Sequence, residues 1–490
     1  MLGSMWVVAP LLWLVGCAFA LGLIGRIWRV SNARLATLTA LACAGGILLL
    51  APPFLMARAA LLADAPLPTW GGAGPGSVLL EATPGALVLT ALSLGIGLCT
   101  AIYSGHYLSR DNRYPTSYPL LLLMLAGLLG MLLTVDLFNL YLFCELMSIA
   151  AYVLVAFRRH TDTSIEAGFK YLILGSVATL IMLMGISWIY RETGSVTLPL
   201  DSPAAGQWTR LGTACFLVGL ALKSGIVPLH TWLPDAYGRA PSSISALLAS
   251  VISKSTLLVL LKVTLGLGFP ARDLGLLLIL FSFLNMLLGN TLALTQRYTK
   301  RLLAYSSIAQ TGYVMFALGV GLRYSLPSAL NAGFFLLVVH AVLKALAFLS
   351  KGVCHFYCGT TRVEELHGTA QQLPLVAITF SVALAGLAGI PPLAGFAAKW
   401  FILAETIAAR ETLAYVGTGI FLLNSVLALG YYLPLIVRLF TPLEAEAAEA
   451  KRLHISPWMG APLLLMGALA LAIGLQPGPW LSGAAWLTFF

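Results

Sequence analysis

Charge is what this chain has least of. Only 9% of its 490 residues are charged and 59% are hydrophobic, whereas a soluble domain carries about 25% charged residues. With a mean hydropathy of +0.93, a soluble globular fold is excluded and an integral membrane protein is indicated. Acidic residues are scarcer still, 18 Asp and Glu against 28 Lys and Arg. The 7 cysteines are scattered, most of them within apolar runs, so no disulfide framework is implied. Cys354-His355-Phe356-Tyr357-Cys358 is the one cluster, and without a second Cys or His pair nearby it reads as a loop rather than a metal site. The chain also lacks a Walker A loop, a Rossmann glycine fingerprint and a haem-attachment motif, so neither a metal nor a cofactor of its own is expected. No hydrophilic stretch is long enough for a soluble domain. The longest, 58–83, 191–210, 351–372 and 438–456, read as loops or short surface helices, the last holding the acidic Glu444, Glu446 and Glu449.

What is present is apolar sequence in lengths that cross a bilayer, about 20 residues each. Fourteen spans are predicted, near 5–24, 36–57, 84–104, 116–135, 138–157, 168–190, 211–229, 242–266, 273–295, 301–322, 328–350, 373–407, 412–437 and 457–476. Several are joined by only a few residues, so neighbours are antiparallel and the fold class is an all-α polytopic bundle, not a barrel. Positive residues between spans fall on alternate sides. Arg26, Arg29 and Arg34, Arg110 and Arg113, Arg158, Arg159 and Lys170, Arg239, Arg297, Lys300 and Arg301, Lys351 and Arg362, and Arg438, Lys451 and Arg452 share one side, 17 residues in all, against 6 on the other. Positive charge is retained on the cytoplasmic side, so both termini are predicted outside, in a cell (inner or plasma) membrane. The first apolar run continues into Gly25-Arg26-Ile27-Trp28-Arg29 and reads as a retained span rather than a signal peptide. The net charge of +10 follows from this bias plus five lysines within spans, so nucleic acid is not an expected partner and the lipid bilayer is.

Removing the loops leaves eight ionisable residues at membrane depth: Glu145, Lys223, His230, Lys254, Lys262, His340, Lys344 and Lys399. A charge at a helix centre costs about 2.5–3.5 kcal/mol on insertion scales. Lys262 is close enough to the end of its span to snorkel; the others are not. Glu145 is too short to reach an interface, and it reads either as a static, paired carboxyl or as a carboxylate exchanging protons with a neighbouring cation. Lys254 lies among Ser250, Ser253, Ser255 and Thr256, which suggests a hydrated, bundle-facing surface. His340 and Lys344, at i and i+4, share one helical face. Lys223 is followed by Gly225 and Pro228, which interrupt the helix. Ala388-Gly389-Ile390-Pro391-Pro392 interrupts a second helix just before Lys399. Paired discontinuous helices in two halves of a chain point to inverted repeats with an ion path at the breaks. Desolvation favours the neutral amine and a nearby carboxylate favours the ammonium, so Glu145, Lys223, His230, His340 and Lys344 joined by water suit protons better than an organic solute. Asp235 falls in the loop beyond His230 and is expected to cap or anchor it.

Four motifs, in order along the chain, resemble the antiporter-like subunits of complex I, a family that also includes membrane subunits of energy-converting hydrogenases and Mrp-type cation/proton antiporters. They are Asp136-Leu137-Phe138-Asn139-Leu140-Tyr141-Leu142-Phe143-Cys144-Glu145-Leu146, Pro228-Leu229-His230-Thr231-Trp232-Leu233-Pro234-Asp235-Ala236-Tyr237, His340-Ala341-Val342-Leu343-Lys344-Ala345-Leu346-Ala347-Phe348-Leu349 and Ala388-Gly389-Ile390-Pro391-Pro392-Leu393-Ala394-Gly395-Phe396. The resemblance covers about residues 84–440 and implies fourteen helices, with spans 4–8 and 9–13 as inverted five-helix repeats and helices 7 and 12 discontinuous. It divides the chain into helices 1–3 (1–110), a first repeat (111–268), a second repeat (269–440) and helix 14 with its tail (441–490). Glu145 matches the helix 5 glutamate, Lys223 the helix 7 lysine, Lys254 the helix 8 lysine, His340 and Lys344 the helix 11 relay, and Lys399 the helix 12 residue, which is glutamate in some relatives. The implied function is non-redox proton translocation within a larger translocase such as a proton-pumping NADH:quinone oxidoreductase. Partners would be other membrane subunits, including related antiporter-like ones, with peripheral redox subunits acting indirectly. The alternative is a subunit of an Mrp-type Na+(K+)/H+ antiporter without electron transfer.

Overall fold

The structure is a computed structural model that describes residues 2–28, 30–72, 77–158, 161–200, 206–442 and 452–478. Arg29, Arg159, Lys451, Glu444, Glu446 and Glu449 lie outside the described residues. The chain is a helical bundle. Its helices are α1 (Leu2–Ile27), α2 (Asn32–Leu49), α3 (Ala51–Leu62), α4 (Pro84–Tyr107), α5 (Tyr114–Leu133), α6 (Leu137–Val155), α7 (Asp162–Thr193), α8 (Gln207–Ser224), α9 (Trp232–Arg239), α10 (Ser242–Leu247), α11 (Ser253–Gly266), α12 (Ala271–Leu294), α13 (Thr299–Tyr324), α14 (Pro327–Cys358), α15 (Thr369–Gln372), α16 (Pro374–Ala388), α17 (Ala394–Ala408), α18 (Thr412–Phe440) and α19 (Pro457–Leu475). A two-residue antiparallel pairing, Thr69–Trp70 with Leu80–Glu81, closes the loop after α3.

Among the described residues, 11 stretches are long and apolar enough to cross a membrane. Every predicted span lies over a helix. Those outside the 11 are the broken or polar ones: α8 with α9, α16 with α17, and α13, which buries Ser306, Ser307, Gln310 and Thr311. Two predicted ends are wrong. The helix expected to stop at 350 runs on to Cys358, so Lys351 belongs to a helix and is 1% exposed, not a loop cation. It is held there because its ammonium donates to the Thr360 carbonyl at 2.5 Å, below the left-handed Gly359 that ends α14. Likewise α7 begins at Asp162 and takes Lys170 into its third turn.

Burial separates a centre from a rim. Over their most apolar windows, the stretch Ser242–Gly266 and α14 are 100% buried, whereas α7, α12 and α18 are 39%, 44% and 33% buried. The two enclosed stretches carry Lys254, and His340 with Lys344. Lipid association gains little from burying apolar surface, so membrane helices hold together by close packing of small residues. The α12–α13 pair does so: a Cβ on Gly289 would stand 2.5 Å from the Ala309 amide, and one on Gly319 would stand 2.9 Å from the Gly275 carbonyl.

Candidate proton-relay site

The first break in a helix builds the surroundings of Lys223. α8 stops at Ser224 because Gly225 turns left-handed, at φ 73°, and Pro228 sits in the unwound stretch that follows. Exposed backbone at membrane depth needs partners, and side chains supply them. Val227 N–H donates to Asn285 Oδ1 at 2.9 Å, and Trp232 Nε1–H donates to the Leu222 carbonyl at 2.8 Å. Lys223 occupies the last turn of α8, where the negative end of the helix dipole favours a cation. Its Nζ donates to Ser148 Oγ at 2.6 Å, and no ion pair joins it to Glu145. Ser148 lies one turn beyond Glu145 on α6. Glu145 is only half-buried, on the face of α6 that also carries Leu142 and Ile149, 46% and 55% exposed. That face is on the rim of the chain. His230 lies beyond the break, half-buried, with Nδ1 lacking a partner.

The second break has the same design with a different donor. α16 ends at Ala388, Gly389 turns left-handed at φ 88°, and α17 begins at Ala394. Lys399 reaches back from α17 so that Nζ donates to the Ala388 carbonyl at 3.0 Å and sits 4.8 Å from the centre of the Tyr313 ring. Gln310 of α13 donates to the neighbouring Leu387 carbonyl at 2.9 Å. Two carbonyls that the break would leave orphaned are thus taken by one amide and one lysine.

Between the breaks lie the enclosed stretches. Lys254 follows a π-helical turn, Leu248–Ile252, and donates to Ser253 Oγ at 3.1 Å. Such turns occur mostly as isolated bulges at functional positions. The Leu248 carbonyl in this turn also accepts from Tyr237 OH at 2.8 Å. Of the hydroxyls expected to hydrate Lys254, Ser250 and Thr256 instead donate to carbonyls of their own helix, Leu247 and Ile252. Lys344 donates to Ser306 Oγ at 2.5 Å and to the Leu303 carbonyl at 2.8 Å, both on α13. His340 is 1% exposed and neither ring nitrogen has a protein partner. A buried polar group that no protein atom satisfies is where structural water belongs.

Lys223, Lys254, Lys344 and Lys399 are all buried, and none takes part in an ion pair among the described residues. Among the described residues, the hydrogen bonds and ring contact found for these ammonium groups go to hydroxyls, carbonyls or a ring face. An ammonium without a carboxylate partner is expensive inside a protein. Lys262 differs: half-buried, it donates to the Leu132 and Thr134 carbonyls at 3.1 and 3.0 Å and so caps α5. Asp235, expected in a loop, lies instead in the first turn of α9, where it pairs with Lys170 at 3.2 Å and Arg301 at 3.5 Å. In the Cys354–Cys358 cluster, His355 Nδ1 faces the Thr360 carbonyl at 3.1 Å and Cys358 Sγ lies 3.2 Å from Gln372 Oε1. Sequence reasoning missed Ser148, Ser306, Gln310, Tyr313 and the π turn. The polar run of α13 was the signal for three of them, since Ser306, Gln310 and Tyr313 recur at helical spacing within an apolar span.

Residues 134–427 match a protein family described as NADH:quinone oxidoreductase/Mrp antiporter, transmembrane. The chain is 33% identical over 433 residues to NADH-quinone oxidoreductase subunit N of Desulforudis audaxviator, covering 83% of each chain. It is 32% identical over 403 residues to F(420)H(2) dehydrogenase subunit N of Methanosarcina mazei, covering 79% of this chain and 80% of that one. Among solved structures, it superimposes on a chain of respiratory complex I from Thermus thermophilus with a TM-score of 0.76 at 29% identity, covering 97% of this chain and 99% of that one.

Proposed function

Because the chain belongs to the NADH:quinone oxidoreductase/Mrp antiporter family of transmembrane proteins, we propose that it is a proton-translocating membrane subunit of a multisubunit, redox-driven complex. The observation that carries the reading is the set of four buried lysines, Lys223, Lys254, Lys344 and Lys399, with neutral partners only. The proton moves from Lys223 through Lys254, and His340 with Lys344, to Lys399, with His230 serving the inner mouth of the Lys223 end. Water bridges the steps, and the unpartnered nitrogens of His340 are its natural holding point. Two inverted repeats, 111–268 and 269–440, are the proposed frame, supported by the matching interruptions at Gly225 and Gly389. The segments 1–110 and 441–490 flank them. The membrane is the cell (inner or plasma) membrane, with both termini outside.

The half-buried Glu145 supplies the input. A carboxylate on the rim at membrane depth cannot be left to lipid, so a neighbouring membrane subunit covers it. A change in that neighbour alters the charge near Ser148, and through the 2.6 Å hydrogen bond alters how firmly Lys223 holds its proton. The relatives named as subunits N of redox enzymes favour this reading over a component of an Mrp-type antiporter. Purification with flavin or iron–sulfur subunits supports it, and a complex of membrane subunits alone refutes it. The mechanism itself is tested by Lys223→Ala in the assembled complex in proteoliposomes. Redox-driven proton flux is expected to collapse, and wild-type flux would overturn the relay.

A further inference from the structure

One cavity lies outside the relay, where α6 ends and α7 begins, between α9, the first turn of α13 and the last turns of α14. It holds 380 Å³ and is lined by Arg158, Arg239, Lys300, Arg301 and Lys351. Two of these cations are compensated: Arg158 pairs with Asp111 at 3.1 Å and Arg301 with Asp235 at 3.5 Å. The other three meet no carboxylate in an ion pair among the described residues. Lys351, 1% exposed, donates only to the carbonyl and hydroxyl of Thr360. The Lys300 ammonium donates to the Ala240 carbonyl, and the Arg239 guanidinium sits 5.9 Å from the centre of the Tyr298 ring. Glu166 and Asp235 line an adjoining cavity rather than this one.

A bias of positive charge toward one side of a membrane explains cations in loops, where water solvates them. It does not explain the convergence on one space of a buried Lys351 with the half-buried Arg158, Lys300 and Arg301, where like charges repel and desolvation is costly. Two further features point the same way. The first turns of α7, at Thr163 and Ser164, and of α13, at Lys300 and Arg301, open on the cavity, so two helix N-termini add their positive ends to it. Arg301 Nε is buried with no partner among the described residues.

We propose that this cavity binds a phosphate-type oxyanion, either free phosphate or the headgroup of an anionic phospholipid. Several oxygens on one centre suit guanidinium forks, ammonium groups and hydroxyls that converge from different elements. The site is independent of the relay, and its test does not depend on pumping. The intact complex is reconstituted in nanodiscs of phosphatidylcholine, and labelled inorganic phosphate is titrated in. In a parallel set with phosphatidylglycerol, retained lipid is counted by mass spectrometry after washing. Saturable phosphate binding identifies the free anion, and a retained phosphatidylglycerol identifies the headgroup. Either is expected to weaken about tenfold or more in Arg239→Gln, an exposed position that spares the fold, and to disappear in Arg239→Gln with Lys300→Gln. Binding of phosphate and lipid in the double variant equal to that of the wild-type complex would overturn the proposal, as would the absence of both ligands from the wild type.

Discussion

Ser148→Ala isolates one hydrogen bond of the proposed relay. Lys223 Nζ donates to Ser148 Oγ at 2.6 Å, and no carboxylate shares the donor. Hydrogen bonds to charged groups contribute about 1.5–3 kcal/mol, and about 1.36 kcal/mol changes the ratio of two protonation states tenfold. Loss of the hydroxyl therefore shifts the charged-to-neutral balance at Lys223 by about 10- to 100-fold. The lost acceptor disfavours the ammonium, so proton uptake at Lys223 becomes the limiting step of the proposed relay and turnover falls by a similar factor. The assay is redox-driven acidification in proteoliposomes holding the whole complex, measured across pH, with Ser148→Thr as the conservative control. Ser148→Ala is expected to pump at about 1–10% of the wild-type rate with a displaced pH profile, and Ser148→Thr to recover most of it. A Ser148→Ala complex that assembles and pumps normally with an unmoved pH profile would refute this role for the contact.

Gln310→Leu leaves the Leu387 carbonyl without its donor, so a loss of about 1–3 kcal/mol is expected, read as a lower thermal midpoint of the purified complex. Lys399→Met removes both the link to the Ala388 carbonyl and the contact with the Tyr313 ring; proton flux should be abolished while electron transfer survives in uncoupled membranes. Gly289→Val forces α12 off the Ala309 backbone, and the complex should assemble poorly, seen as reduced yield on size exclusion. Glu365 accepts from the Thr361 and Arg362 amides at 2.5 and 2.9 Å, which holds its carboxyl below the usual range. Its contribution to the loop is complete above about pH 4.3, the ordinary glutamate value, and is lost as pH falls through the lower folded value. Amide exchange across 361–366 should rise on that acid side in the wild type, whereas Glu365→Gln should exchange fast at every pH.

Much of this was legible in the sequence because lipid leaves so few options. A lysine in an apolar run must be buried and satisfied, so Lys223, Lys254, Lys344 and Lys399 could be picked out by subtraction, and Gly225 and Gly389 marked the interruptions. What could not be read was which neutral group each lysine meets. Ser148 is 75 residues from Lys223, and Ser306 is 38 from Lys344; such partners are set by helix packing rather than by spacing. Lys351 misled for the opposite reason. It falls at the edge of a polar stretch that runs on to Arg362, and its partners, the carbonyl and hydroxyl of Thr360 beyond the end of α14, are met only in the folded chain. Spacing likewise did not reveal that Glu145 stands on a half-exposed face of α6 while Ser148, one turn on, meets Lys223.

The π turn at Leu248–Ile252 has a consequence for how the chain could change length. A π turn holds one residue more than the α turn it replaces, so a deletion within it would restore an ordinary turn without displacing α10 or α11 end to end. A deletion anywhere else in that stretch would swing Lys254 to another face of an enclosed helix. The deletion would also withdraw the Leu248 carbonyl from Tyr237. The extra residue is thus a slack link beside the central lysine, and Tyr237 is the latch that keeps it taken up.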